Sequence, residues 1–245
     1  MTADYSQYAN YVDDILRKND LSSFKSNGNY TYMLEHVNAE QGRKYLEYIQ
    51  RETGLSDSEI RSFCVLNDSI GNPNRVTFSN TLTCSPTSLR YIWHAYTALK
   101  HFHMFDEVVN IVEVGGGYGG LCLAVNMVAE KIGLKVNSYT IIDLDAPSRL
   151  QEAYLVNFPL SFPTFFHKAD TYGSGIEQKN LYLISNYCFS EIDDEHQKKY
   201  REILFPKVIH GFMAWNHIPV YNFGFRCMNK PEEPITGSMN RFIYF

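Results

Sequence analysis

The sequence predicts a three-layer α/β fold: a mostly parallel sheet between helices, closed by a C-terminal antiparallel hairpin and preceded by a helical N-terminal cap. Three observations predict it. From residue 108 onward, short apolar runs alternate with helical ones, the pattern of parallel strands joined by crossover helices. A glycine-rich turn, Gly115-Gly116-Gly117-Tyr118-Gly119-Gly120, joins the first of those strands to a helix. The first 105 residues read as mostly helical and stand outside the alternation. The expected division is a helical cap over residues 1–105 and a sheet unit over 106–245.

Residues 4–18 and 30–52 carry apolar residues at mixed three- and four-residue steps, as helices do when one face is buried. Ser56-Asp57-Ser58-Glu59 has the S-x-x-E form of a capping box, in which serine and glutamate side chains satisfy free N–H groups at a helix start. Asp68-Ser69-Ile70-Gly71-Asn72-Pro73-Asn74 is dense in residues that tolerate or impose special backbone angles and reads as an elaborate loop. Ser85-Pro86 opens the next helix, with Ser85 placed to cap it and Pro86 where a missing N–H costs nothing. Leu89, Ile92, Trp93, Tyr96 and Leu99 form its apolar stripe. There follow strand 108–114, helix 119–132 ending at Gly133, strand 136–142, helix 147–157 and strand 163–168. Strand 181–186, a helix over 193–204 capped by Asp193 or Asp194, and strand 207–214 complete the alternation. Two last β-like runs, 220–227 and 239–245, flank a Pro231/Pro234 loop and suit a hairpin.

Composition excludes several classes of function. With 22 Lys+Arg against 27 Asp+Glu in 245 residues, the chain lacks the clustered cations that neutralise a nucleic acid, which is not an expected partner. The five cysteines, at 64, 84, 122, 188 and 227, form no C-x-x-C and no Cys/His cluster of zinc spacing, so no metal is expected. A chain this long builds a core without disulfides, and a reducing, cytoplasmic compartment is the simplest reading. The N-terminus has no basic and apolar signal regions, and no stretch approaches the ~20 apolar residues of a membrane span. The aromatic excess, 18 Tyr and 16 Phe against 2 Trp, serves either a core or a site for a flat or sugar-like ligand.

The segment Ile111-Val112-Glu113-Val114-Gly115-Gly116-Gly117-Tyr118-Gly119-Gly120 runs from strand into helix, where glycines allow close approach of a ligand and the helix offers free N–H groups. It satisfies G-x-G-x-x-G, typical of dinucleotide sites, and also E-x-G-x-G-x-G, typical of S-adenosyl-L-methionine sites. Glu113 favours the second, because a carboxylate there can anchor an ammonium and would repel a pyrophosphate. The next strand ends in Asp143-Leu144-Asp145, and Asp143 lies where a carboxylate can accept bonds from ribose hydroxyls, or alternatively cap the helix at Pro147. Asp170, after the third strand, is placed for an adenine amine or is a solvated loop acid.

In an open α/β sheet the reacting groups collect at the carboxyl ends of the strands. That points to Ser185-Asn186-Tyr187-Cys188-Phe189-Ser190-Glu191, with Asn186 and Tyr187 toward the reactive end of the cofactor. Glu191 could take a proton from a hydroxyl, or could be a helix-start acid favoured by the dipole. His217, just past the following strand, is a second possible base or a loop histidine. Tyr118, Tyr187, Phe189 and Trp215 all fall at strand ends, where adenine or a sugar face could stack.

The blocks Gly71-Asn72-Pro73, Ser85-Pro86-Thr87-Ser88-Leu89-Arg90-Tyr91, Glu113 to Gly120, Ile142-Asp143-Leu144 and Ser185 to Glu191 together resemble the family of sugar O-methyltransferases. This family lies within the class I S-adenosylmethionine-dependent enzymes, and the resemblance covers about residues 68–217. It implies a Rossmann-like sheet, S-adenosyl-L-methionine as cofactor, and a sugar or oligosaccharide hydroxyl as acceptor. Carried over by position, Glu113, Gly115, Gly116, Gly117, Tyr118, Gly119, Asp143, Leu144 and Asp170 would surround the cofactor. Asn186, Tyr187, Ser190 and Glu191 would lie beside the methyl group and acceptor, Ser85, Thr87 and Arg90 would close over the methionine or the sugar, and with Tyr91 and Trp215 they are the candidates to meet the acceptor. Asp145 stands where the family often has proline, which leaves open whether Asp143 or Asp145 meets the ribose. Two other readings compete: an NAD(P)-dependent oxidoreductase, for which no Y-x-x-x-K is present at Tyr187 or Tyr200, and a non-catalytic scaffold that binds a glycan.

Overall fold

The computed structural model describes residues 6–216, 220, 223, 226–237 and 239–245. Helices α1 (Ser6–Lys18), α2 (Gly28–Met33), α3 (Ala39–Glu52) and α4 (Asp57–Asn67) precede a small hairpin, β1 (Val76–Ser79) with β2 (Leu82–Cys84), and α5 (Pro86–Phe102). The expected helix over 30–52 is broken in two, because Asn38 and Gln41 form a capping box that starts α3 afresh. The capping boxes and caps read at Ser56 and Ser85 form: Ser56 exchanges bonds with Glu59, and Ser85 accepts from the Thr87 N–H. The hairpin at 76–84 is not among the expected elements.

The rest runs β3 (Val108–Val114), α6 (Gly120–Ile132), β4 (Lys135–Asp143), α7 (Asp145–Leu155), β5 (Thr164–Lys168), β6 (Leu181–Asn186), α8 (Asp194–Ile203), β7 (Val208–Trp215), β8 (Met228–Pro231) and β9 (Arg241–Tyr244), so that strands and helices alternate through β5 and again from β6 to β7. The sheet order is β5-β4-β3-β6-β7-β9-β8, with the first five strands parallel and β9 antiparallel to both neighbours. This is the Rossmann-like, mostly parallel sheet with a terminal antiparallel hairpin that the sequence predicts. The first hairpin strand lies at 228–231; of the expected run 220–227, residues 220, 223, 226 and 227 are outside any strand and the others lie outside the described residues. Asp193, rather than Asp194, caps α8, accepting from the His196 N–H at 3.0 Å.

Strand alternation sorts the core into two faces. Ile111, Tyr139, Ile141, Tyr182, Ile184 and Phe212 face α5, α6 and α7 and share one core with the N-terminal helices. Val112, Val114, Ile142, Leu183, Met213 and Trp215 face the other way, toward Tyr200 and Leu204 at the end of α8. Helix α5, within the expected cap by sequence, packs against α6 and β7 and so belongs to the helical layer on the sheet. Among the described residues no helix is long and apolar enough to cross a membrane.

Beneath the glycine turn lies a cluster that ties the N-terminal helices to the sheet. The Lys25 ammonium is fully buried over the rings of Tyr118 (4.0 Å) and Tyr154 (4.6 Å) and donates to the Asn67 carbonyl. Burial lowers its pKa to about 7. Asn67 also donates to Tyr118 and to Ser88, and Asp68 accepts the Ser88 hydroxyl and the Ser85 N–H, each at 2.6 Å. Asp68 is almost fully buried, so deleting its carboxylate would leave two donors without partners. Asp68→Ala is expected to lower the unfolding free energy by about 3 kcal/mol, read from urea denaturation; a loss under ~1 kcal/mol would show that the network is not structural.

Candidate active site

A cleft of about 650 Å³ opens at the carboxyl ends of β3, β4, β5 and β6, where the sheet rule places it. Gly115, Gly117 and Gly119 have φ of 80°, 57° and 97°, a left-handed backbone that lets β3 turn into α6 within a few residues. At Gly115 space is as strict as angle, because a Cβ there would lie 2.2 Å from the Cβ of Cys188. Glycine therefore lets the ends of β3 and β6 close together.

Two carboxylates sit under this turn. Asp143 accepts the Gly116 N–H (2.9 Å) and the Gln151 amide (2.7 Å) on one oxygen and the Leu144 N–H (2.8 Å) on the other. Gln151 also donates to the Gly117 carbonyl at 3.1 Å, which locks the turn to α7. Because α7 begins at Asp145, two residues earlier than expected, Asp143 braces the glycine turn instead of capping a helix at Pro147. Asp145 is engaged elsewhere, by Lys168 at 2.8 Å and Arg149 at 3.1 Å. Burial pushes Asp143 up to about 6 despite its hydrogen bonds. Glu113 shares the core-facing side of β3 with Ile111 and is 1% exposed. It accepts from the Tyr139 hydroxyl at 2.9 Å, and burial, with Asp143 nearby, pushes it up to about 8. At neutral pH it is therefore mostly protonated, and a cation placed against it would draw off the proton.

Besides these acids, the cleft brings together Arg90, Tyr91, Gly115, Gly116, Gly117, Leu144, Asp170, Asn186, Tyr187 and Glu191. The Asn186 Oδ1 is buried without a hydrogen-bond partner, and Glu191 accepts from Asn216 at 2.9 Å. Tyr187 turns its backbone to φ 61°, donates its N–H to the Ala214 carbonyl (2.7 Å) and its hydroxyl to Glu232. Glu232 is buried and also accepts from the Thr236 N–H (3.0 Å), the Thr236 hydroxyl (2.6 Å) and the Asn240 amide (3.1 Å).

Other residues singled out by sequence lie away from the cleft. Tyr118 is buried behind the turn, edge-on to Tyr91 and Tyr154. Gly119 starts α6 and leaves room for Leu155, whose Cγ would be 2.9 Å from an added Cβ. Ser85 caps α5 and donates to Glu35 at 2.8 Å, while Thr87 is fully buried. Ser190 is buried and donates to the Tyr187 carbonyl at 2.9 Å. Phe189 stacks on Phe205, and Trp215 meets Phe223 edge-on, so of the four strand-end aromatics only Tyr187 faces the cleft. A strand-end position does not decide which face of the sheet a ring takes, and these three rings are apolar enough to enter the core. His217 lies outside the described residues.

Sequence reasoning missed the walls. Tyr8 of α1, Leu34 and His36, Gln41 and Tyr45 of α3, and Thr236 and Asn240 of the hairpin loop all line the cleft. No motif marks them, because each comes from a separate segment; only the fold joins Gln41 to Thr236, whose carbonyl accepts from it at 2.9 Å. Among the described residues no group of three or more His, Cys, Asp or Glu side chains is placed to hold a metal ion.

No protein-family model matches the chain, and no curated protein matches it. Among solved structures it is similar to PKMT2 from Rickettsia typhi in complex with AdoHcy, at 16% identity over 51% of this chain and 26% of that one, with a TM-score of 0.39. It is similar to a SAM dependent methyltransferase from Aquifex aeolicus at 13% identity, over 62% of this chain and 89% of that one, with a TM-score of 0.44. For DhpI in complex with SAH the values are 12%, 76%, 92% and 0.41. The chain spans about a quarter of the length of the Rickettsia typhi protein.

The buried acid makes stability depend on pH. Glu113 holds its proton up to about 8 when folded and to the ordinary 4.5 when unfolded, so the folded state binds more protons between those values and loses stability as pH rises through them. Glu113→Gln is expected to remove that decline, so the difference in melting temperature between variant and parent should grow from pH 4.5 to 8 in favour of the variant. A constant difference across the range would show that Glu113 is ionised in the folded protein.

Proposed function

We propose that the protein is an S-adenosyl-L-methionine-dependent O-methyltransferase acting on a hydroxyl of a sugar, in a glycan or a nucleotide-linked precursor. The observation that carries the proposal is the pair of carboxylates under the glycine turn. The Gly116 N–H that a pyrophosphate would need is already taken by Asp143, and Glu113 lies behind it, so the turn suits a cationic amino-acid group and a ribose better than a dinucleotide. Glu113 would hold the ammonium, directly or through backbone and water, and Asp143, facing the cleft beside Leu144, would meet the ribose. Asp170, which also lines the cleft, would meet the adenine amine. The antiparallel strand inserted before the sheet edge agrees with the resemblance to class I methyltransferases.

The other half of the cleft offers hydrogen-bonding side chains, Gln41, Tyr45, Thr236 and Asn240, beside the Tyr187 ring and the Arg90 guanidinium, a surface suited to a polyhydroxylated ring. Bound S-adenosylmethionine supplies a methyl carbon on a sulfonium, which passes to an oxygen nucleophile as the C–S bond breaks and the sulfur keeps the electron pair. The chain's own part is to align the hydroxyl, exclude water and accept one proton. Glu191, at the mouth of β6 and oriented by Asn216, is one candidate to accept it, and His217 is the other. The unpartnered Asn186 Oδ1 can receive a bond from a hydroxyl or an amine in the cleft.

Calorimetric titration is expected to show binding of S-adenosylmethionine and none of NAD(H); binding of the nicotinamide cofactor alone would contradict the proposal. Once an acceptor is in hand, Glu191→Gln is expected to lower kcat by about 10²–10⁴ with unchanged affinity for S-adenosylhomocysteine. Unchanged turnover would assign proton removal to another group.

A further inference from the structure

We infer that the acceptor carries an anionic group, a carboxylate or a phosphate, which the guanidinium of Arg90 receives at the cap side of the cleft. The inference rests on the methyl-transfer reading above and adds to it the charge of the acceptor. Arg90 is 7% exposed yet lines the cleft. A guanidinium has five N–H donors, and the partners it meets in the protein are neutral: the Leu34 carbonyl at 2.9 Å and the His36 Nε2 at 3.5 Å. Burial, with Arg90 itself, pushes His36 down to about 4, so the imidazole is uncharged at neutral pH. Among the described residues no carboxylate forms an ion pair with Arg90. Glu35, the acid nearest in sequence to its contacts, is turned to the Ser85 hydroxyl.

Glu35 lies within electrostatic reach of Arg90 but makes no direct bond to it, so guanidinium N–H donors that the Leu34 carbonyl and His36 do not take up are left for a ligand in the cleft, and the planar fork of arginine suits a carboxylate or phosphate. Position assigns that ligand to the acceptor. Arg90 lies over the Tyr187 ring, 5.8 Å from its centre, and faces Tyr45, Tyr91 and Glu35, whereas the groups that set Glu113 are Tyr139 and Asp143. The cofactor's carboxylate sits one carbon from its ammonium, and the S-adenosylhomocysteine arm of the test separates that carboxylate from an anion on the acceptor.

The test uses the whole chain saturated with S-adenosylhomocysteine and three probes: glucose, glucuronate and glucose 1-phosphate. Calorimetry is expected to show at least one acidic sugar binding about tenfold or more tighter than glucose, a preference lost in Arg90→Gln and partly kept in Arg90→Lys, which preserves the charge. The affinity of S-adenosylhomocysteine should stay within about twofold in both variants. Equal or absent binding of all three sugars to the parent protein would overturn the inference without any variant. So would a tenfold loss of S-adenosylhomocysteine affinity in Arg90→Gln, which would give the guanidinium to the cofactor. Failure of S-adenosylhomocysteine to bind the parent protein would instead refute the methyl-transfer reading.

Discussion

The chain must leave β3 and enter α6 in a few residues while one carboxylate stays buried and a second half-buried beneath the bend, and most of the site follows from that constraint. Glycine at 115 is required by both angle and space, since the turn passes within contact distance of Cys188 at the end of β6. Asp143 then holds the turn from the neighbouring strand by taking the Gly116 N–H, and Gln151 holds Asp143. The turn is shaped before any ligand arrives, so little ordering is left to be paid on binding. Glu113 lies deeper, with one phenol for company, and carries the strain of a carboxyl kept from water.

The same bend is supported from behind by aromatic rings and one buried cation. Tyr118, within the glycine run, turns away from the cleft and meets Tyr91, Tyr154 and Phe24, with the Lys25 ammonium over its face. Through Asn67, Ser88, Asp68 and Ser85 this cluster continues to Glu35 and the start of α5, which also carries Arg90 and Tyr91 into the cleft. The serine–proline–threonine run thus acts by positioning a helix. Much of the tyrosine excess serves this support, and only part of it faces a ligand.

The strands and most helices were legible because their signals are local: apolar runs for β3, β4 and β6, and side-chain caps at Ser56, Ser85 and Asp193. The break before α3 was hidden because Asn38 and Gln41 reset the helix inside an unbroken apolar period. The hairpin over Val76–Cys84 was hidden because its strands are too short to show alternation. The half of the cleft proposed for the cofactor could be read from one contiguous turn and the ends of two strands. The half proposed for the acceptor could not, since Gln41, Tyr45 and Thr236 meet only after the hairpin returns to α3. Glu232, which fixes Tyr187, carries no motif and shows its importance only through its four bonds.

That Glu113 is a protonated acid waiting for a cation is the central claim, and it has a direct measure in proton release. Titrating S-adenosylhomocysteine into the protein at pH 7 in buffers of different ionisation enthalpy gives the number of protons lost on binding. With the carboxyl near 8 before binding, close to one proton per site should be released, and Glu113→Gln should release none if it binds at all. Binding with no difference in proton release between parent and variant would contradict the account.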